Sequence, residues 1–435
     1  MTWQSDLRQY FPIFVLAIPP ARENGKGQRV MPAKLSVWVV RLRTMLLGPG
    51  FWEWKSLGVL SLLVALLLVQ ETATQSASSA TQAAPAGAIP TEEFSRLVRE
   101  FSEEEGYFFS DNFISNETAY LHVVDKLREL EVSGGAYVGV GPEQNFTYIA
   151  NIRPEIAFIV DIRRQAIIQH LLYKALFHLG GNRVEFLSLL LSKPLPASLT
   201  EEWPLDRLVE YFSREPYKQK LFVENLVRVR RTIEQDFRIP LSENDLRSLE
   251  HVYRAFAESG LYISFRFGQW SRSRGAGFPN LRDLILAEDL KGKRGSFLAR
   301  EDDYQFLRRL HRQNRIIPVV GDFAGGKALA AVANYLRKNH YTVSAFYTSN
   351  VEQYLFGDDV YDQFTKNVRR LPITHKSVFI RSVRSGWMIH AAQAPGHRMT
   401  TLLQKIPVFL KDSDDGLYLS YRDLITTHYI SPLEP

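Results

Sequence analysis

Apolar residues recur at helical spacing from Thr91 onward, at Phe94, Leu97, Val98 and Phe101, and again at Tyr120, Val123, Val124, Leu127 and Leu130 before Ser133-Gly134-Gly135 stops the pattern. The period then changes. Ala136 to Val140 is a continuous apolar run entering a Gly-x-Gly turn at Gly139 and Gly141, a helix-like stretch follows, and a second apolar run, Ala157 to Val160, ends on Asp161. Short continuous runs bounded by turn residues are the signature of strands buried on both faces, so these residues predict a strand-turn-helix-strand unit closing on an acid. Beyond Asp161, Ile167, Ile168, Leu171, Leu172, Ala175, Leu176 and Leu179 mark an amphipathic helix, with His170, Lys174 and His178 on its other face. Two imidazoles at that spacing suit a metal, but a Lys between them and no acid beside them predict a solvated stripe instead.

From Asn182 to about Arg312 the pattern is mostly helical, with helices predicted over Leu205–Phe212, Lys218–Gln235 and Ser242–Ser259, the last opened by a Ser242/Asp245 capping pair and closed by Gly260. Tyr262 to Gly268 alternates like a strand, and Arg272 to Gly277 reads as a loop. Strand character returns at Ile316–Val320, followed by Gly321-Asp322-Phe323 and a helix over Lys327–Asn339 that Gly325-Gly326 opens. Tyr341–Tyr347 is the next predicted strand, with Thr348-Ser349-Asn350 opening a short helix over Val351–Leu355. Ser377–Val383 and Tyr418–Tyr421 complete the strands, the later ones open to antiparallel pairing. Strands alternating with helices imply parallel pairing and right-handed crossovers. The expected fold is therefore α/β, a doubly wound, mostly parallel Rossmann-like sheet over residues 91–430, with a large helical insertion at 182–312 packed over the ligand rim.

Ahead of this domain, Ser56 to Val69 is an uncharged apolar stretch behind Lys55, followed by the small residues Ala73, Ser76, Ala77 and Ala80. Fourteen residues fall short of the roughly 20 of a spanning helix and match a secretory core of about 7–15. Residues 1–70 thus read as a leader, 71–90 as a flexible linker rich in small polar residues, and the protein as exported to the periplasm or beyond. Starting at Met45 gives an ordinary leader; starting at Met1 makes 56–69 a single-pass anchor, the chain's one expected membrane contact.

Charge narrows the partners. The chain is net +6, but residues 1–70 hold eight Lys/Arg against three acids, whereas 71–435 hold 45 against 44. A nearly neutral folded part does not offer the concentrated basic face that nucleic acid requires, and Arg228-Val229-Arg230-Arg231 reads as a solvated helix face. The chain has no Cys, which removes disulfides, thiolate catalysis and Cys-ligated zinc. There is no G-x-S-x-G or H-E-x-x-H, and the acid pairs Asp302-Asp303 and Asp358-Asp359 read as solvated. No metal site is expected.

In a parallel doubly wound sheet, ligands bind beyond the carboxyl ends of the strands. The predicted strand-end loops carry Gly139, Gly141, Glu143 and Asn145 after the first strand, Asp161 after the second, Asp322 after the third and Asn350 after the fourth. Convergence on one rim would give a small-molecule pocket, edged by Glu143, Asn145 and Asn350, with the loop Asp111–Asn116 closing over it. Glycines let a ligand approach the backbone, and an acid about 20 residues on is placed to accept ribose hydroxyls. This order of parts resembles the class I S-adenosylmethionine-dependent methyltransferases. The resemblance implies S-adenosylmethionine as cofactor, the glycine loop and Asp161 as its holders, and Asp322 beside the adenine or the reacting methyl. Tyr137 stands where that family has an acid, the third glycine is missing, and about 150 residues separate the second strand from Gly321-Asp322-Phe323. The phrases FSDNFISNE and GVGPEQNFTYI also resemble an uncharacterised group of bacterial proteins, which implies no activity. A non-catalytic exported domain that binds a nucleotide or another small molecule is the alternative to methyl transfer.

Overall fold

The computed structural model describes residues 87–196, 203–265, 278–384 and 389–433. The leader, most of the linker and the loop at 272–277 fall outside the described residues. Among the described residues no helix is long and apolar enough to cross a membrane.

Six strands form one sheet: β1 (Ala136–Gly139), β2 (Ile156–Asp161), β3 (Ile316–Val320), β4 (Val343–Ser349), β5 (Ile373–Arg384) and β6 (Met399–Lys405). Their order is β3-β2-β1-β4-β5-β6. The first five run parallel, and β6 pairs antiparallel with β5 along Val378↔Lys405 to Arg384↔Met399. Every residue of β1, β2 and β3 is buried. That two-sided burial is why these strands are continuous apolar runs in the sequence. The fold is α/β with a mostly parallel sheet, as the alternation of periods implied.

The connection from β2 to β3 carries the helical segment. Its first helix, Arg164–Leu179, is buried almost all round: His170 and Lys174 are only 2% and 1% exposed. The expectation of a solvated stripe is corrected here, because the helices Glu243–Ser259 and Glu301–Arg312 both pack against it. Lys174 donates from Nζ to Asn314 Oδ1 at 2.7 Å and to the His311 carbonyl, and lies over the rings of Phe94 and Phe237. The capping pair is present as read: Ser242 accepts from Asp245 N–H, and Asp245 accepts from Ser242 N–H.

Two strand expectations differ from the structure. Tyr418–Tyr421 is not a strand, because Tyr418 is tied through its hydroxyl to Asp412 and Gln404 while Ser420 caps a helix at Tyr421–Thr426. The last strand is instead β6, whose sequence Met-Thr-Thr-Leu-Leu-Gln-Lys shows no period-2 alternation. Within Tyr262–Gly268, Ser264 forms a single antiparallel bridge with Asn280, and 266–268 lie outside the described residues.

Candidate functional site

The chain leaves β1 toward β2 and β3 on one side and resumes at β4 on the other, so the strand order reverses between β1 and β4. Ligands of open parallel sheets favour that crevice, on the carboxyl side of the strands. Here a segment of this chain lies along the carboxyl edge, running from Ser102 to Glu117 past the ends of β3, β2, β1 and β4 in turn.

At β3, Ser102 Oγ accepts from Val320 N–H at 3.0 Å, and Glu103 N–H donates to the Val320 carbonyl at 2.9 Å. The Glu103 carboxylate accepts from the N–H groups of Lys327 and Ala328, where the helix Ala328–Lys338 begins, a natural seat for an anion. At β2, Gly106 N–H donates to the Ile162 carbonyl, and Arg163 Nη1 donates to the carbonyls of Ser110 and Asp111. Past β1, Ser115 N–H donates to Glu143 Oε1 at 3.2 Å. The segment ends on Glu117, whose Oε1 accepts from the hydroxyls of Tyr347 at 2.8 Å and Ser349, and whose Oε2 accepts from Gln144 Nε2 at 2.8 Å.

Glu117 is therefore a buried carboxylate at the crevice between β1 and β4, and its side-chain partners Tyr347, Ser349 and Gln144 carry no positive charge. Burial pushes its pKa up, against the pull of Ser349, Tyr347, Ser382 and Gln144. Ser382 lies close enough to favour the anion, although its hydroxyl makes no well-formed hydrogen bond. Glu143, one helix end away, is pushed up to about 7 by burial, with the charge of Glu117 adding to the effect. Ser349, which feeds Glu117, sits at the end of β4 with φ +54°, in the left-handed region that a β-carbon disfavours. Around the same crevice, the Gln144 and Thr401 side chains lie close to Tyr148 OH, and Tyr148 OH, Gln144 Oε1 and the hydroxyls of Ser382 and Thr401 are buried without a well-formed hydrogen bond.

The residues read from the sequence take several roles. Gly139 is packed rather than open: a β-carbon there would lie 2.0 Å from Asn145 Oδ1 and 2.7 Å from the Tyr137 ring. Gly141 has φ +76° with no atom near its β-carbon position, leaving its backbone approachable. Asn145 is fully buried; its Nδ2 donates to the carbonyls of Val140, Gly141 and Pro142, and its Oδ1 accepts from Tyr137 OH. It holds the glycine turn in shape. Asp161 is 3% exposed and accepts from Arg163 N–H, Nε and Nη2 at 2.9–3.0 Å. Burial works against the Asp161 anion, yet the Arg163 charge and these bonds hold its pKa below the usual carboxylate range. Asp322 accepts from Ala324 N–H at 2.9 Å in a local turn, and Gly321 N–H donates to the Asp161 carbonyl. Asn350 precedes the helix Val351–Gly357, next to Ser349.

Glu117 and Arg163, which the sequence did not mark as site residues, complete this arrangement together with His170, which the sequence placed on a solvated stripe. His170 accepts from or donates to the Gly141 carbonyl at 2.8 Å, and burial pushes its pKa down to about 4. A polar run inside an aromatic loop, Ser-Asn-Glu at 115–117, was the available signal for Glu117. For Arg163 the local sequence resembles any helix start, and His170 lies mid-helix with no local mark of burial.

No curated protein matches the chain. A family model described as a domain of unknown function (DUF7790) matches residues 112–204 and 205–428. Those two matches take in Glu117, the glycine turn, the whole sheet and the helical segment, and span most of the chain. The protein belongs to this family of unknown function, DUF7790.

Proposed function

We propose that the domain is a doubly wound, Rossmann-like fold that holds a nucleoside-type small molecule at the β1–β4 crevice, with a methyltransferase-like layout that makes S-adenosylmethionine the first ligand to test. One observation carries this reading: the crevice where the strand order reverses holds a buried carboxylate, Glu117, fixed by side chains from two separate stretches, Gln144 after β1 and Tyr347 with Ser349 at the end of β4. A buried charge costs free energy unless it serves a partner, so such a carboxylate marks a place where a polar ligand is handled. In this reading Gly141 gives close approach to the backbone, with Glu143, Asn145 and Asn350 around it. Asp161 takes the ribose hydroxyls once Arg163 releases it, and Asp322 lies on the neighbouring loop near the reacting end. Methyl transfer asks little of the protein beyond holding donor and acceptor in line, so the lack of a nucleophile-base pair in the layout does not count against it.

A second reading, a non-catalytic small-molecule-binding domain, is favoured by the closure of Arg163 on Asp161, because the carboxylate that a ribose would use already has its donors. Calorimetric titration of the full chain with S-adenosylmethionine, S-adenosylhomocysteine, nicotinamide dinucleotide and ATP separates the two. Binding of the first two, weakened at least roughly tenfold by Asp161→Asn, supports the methyltransferase-like reading. Binding that Asp161→Asn leaves unchanged and Glu117→Gln abolishes supports the second. Binding of none of the four overturns the nucleoside assignment. Export is part of the same proposal; mass spectrometry of the mature N-terminus tests it, and an intact chain retaining residues upstream of Ser56 would refute cleavage.

A further inference from the structure

Beside the crevice, a narrow cleft opens between the helix Gln144–Ile152 and the helix Leu281–Ile285 with the adjoining residues Ser296 and Phe297. Its open volume is about 20 Å³, room for one water-sized species and far too little for a nucleoside. The apolar side is Leu281, Leu284, Ile285 and Phe297; the polar side is Tyr120, Glu143, Gln144, Thr147 and Ser296. Three of these polar groups present buried oxygens without a hydrogen-bond partner: Glu143 Oε2, Gln144 Oε1 and Ser296 Oγ. Their residues are 7%, 3% and 3% exposed.

The direction of these oxygens follows from what holds the rest of each side chain. Gln144 spends its amide nitrogen on Glu117 Oε2, which leaves its carbonyl oxygen as a pure acceptor. Glu143 spends Oε1 on Ser115 N–H, which leaves Oε2. Thr147 Oγ1 accepts from Phe297 N–H and adds a further oxygen, and Tyr120 OH donates to the Leu284 carbonyl. Among the described residues no Lys, Arg or His forms an ion pair with Glu143. The cleft thus presents a carboxylate oxygen and an amide oxygen beside hydroxyls that can turn their lone pairs inward, with no positive charge lining it.

We propose that this cleft binds one small monovalent cation, coordinated by Glu143 Oε2, Gln144 Oε1, Ser296 Oγ and Thr147 Oγ1. A single free carboxylate oxygen balances one positive charge. Calcium and magnesium sites gather several carboxylates or retain a shell of waters, for which the volume leaves no room. Sodium, potassium and ammonium ions match both the charge and the water-sized space. The cation would also fix the Gln144 amide, and through it Glu117, so it acts as a positioning element for the crevice. The proposal does not rest on a nucleoside being the ligand there.

The test is thermal unfolding of the full chain above the Glu143 pKa of about 7, in sodium, potassium, ammonium or tetramethylammonium chloride at constant ionic strength, paired with thallium(I) NMR as a direct probe of binding. The expected result is a higher unfolding temperature in at least one of the three small cations than in tetramethylammonium, and a broadened thallium line narrowed by competition from that cation. Glu143→Gln should abolish both effects, and Ser296→Ala should move the midpoint to higher salt. Equal unfolding temperatures in all four salts with an unbroadened thallium line would overturn the proposal, as would a salt effect that survives intact in both variants. If Glu143→Gln fails to fold, Ser296→Ala and the thallium line of the unmodified chain decide.

Discussion

Arg163 closes on Asp161 three ways, through its backbone N–H, Nε and Nη2, while its remaining guanidinium nitrogen reaches back to the carbonyls of Ser110 and Asp111. One side chain thus links the end of β2 to the segment lying along the sheet edge. Both partners are more than nine-tenths buried. Removing one partner of such a pair leaves an uncompensated charge, at a cost of about 3–5 kcal/mol. Arg163→Ala is accordingly expected to lower unfolding stability by that amount in urea and to accelerate amide exchange across residues 106–113. Exchange there that matches the unmodified chain would show that the segment is held by its other contacts.

The two glycines of the turn should respond differently to a methyl group. Gly139→Ala drives a β-carbon into Asn145 and Tyr137, an overpacking that costs about 1–3 kcal/mol or more and disturbs the turn. Gly141→Ala meets no atoms and pays only for a positive φ, about 1 kcal/mol. Denaturant midpoints of the two variants check the order, and equal losses would mean that the Asn145 side chain yields freely.

Stability should depend on pH through Glu143. Its ordinary value is 4.5 and burial lifts it to about 7 in the folded chain. Between those values the folded protein keeps a proton that the unfolded chain has lost, so its contribution to stability is full below 4.5, falls as pH rises through that window, and levels off above it. The span amounts to roughly 3 kcal/mol, and the upward shift at Glu117 acts in the same sense. Unfolding free energies measured in tetramethylammonium salt should show this decline, and Glu143→Gln should flatten it.

A second buried ion pair ties β5 to the helix Val351–Gly357 that follows β4. Arg381 Nε donates to both Glu352 oxygens at 2.9–3.0 Å, Nη1 donates to Gln404 at 2.6 Å, and Thr348 donates to Glu352. Arg381→Met alone should cost about 3–5 kcal/mol by stranding the Glu352 charge. The double variant with Glu352→Leu should recover a large part of that loss, because both charges leave together. A double-mutant cycle that is additive would show the two side chains to be energetically independent.

Local pattern alone determined the strands β1 to β5, the main helices and the parallel reading, because two-sided burial and turn chemistry leave their mark on consecutive residues. Ala136–Val140, Ala157–Val160 and Ile316–Val320 are apolar runs for that reason, and Ser242 with Asp245 announces a helix start within four positions. The missed elements lacked such a mark. β6 carries no alternation, and His170 and Lys174 are polar residues on a helix that only the later Glu243–Ser259 and Glu301–Arg312 helices bury. Tertiary structure alone decided that Arg163 reaches the carbonyls of Ser110 and Asp111, and that Glu117 occupies the crevice between β1 and β4. Those relations join residues up to 232 positions apart, as in Ser349 and Glu117, and a contact made across that separation is fixed by how the sheet stacks its strand ends, which no local period encodes.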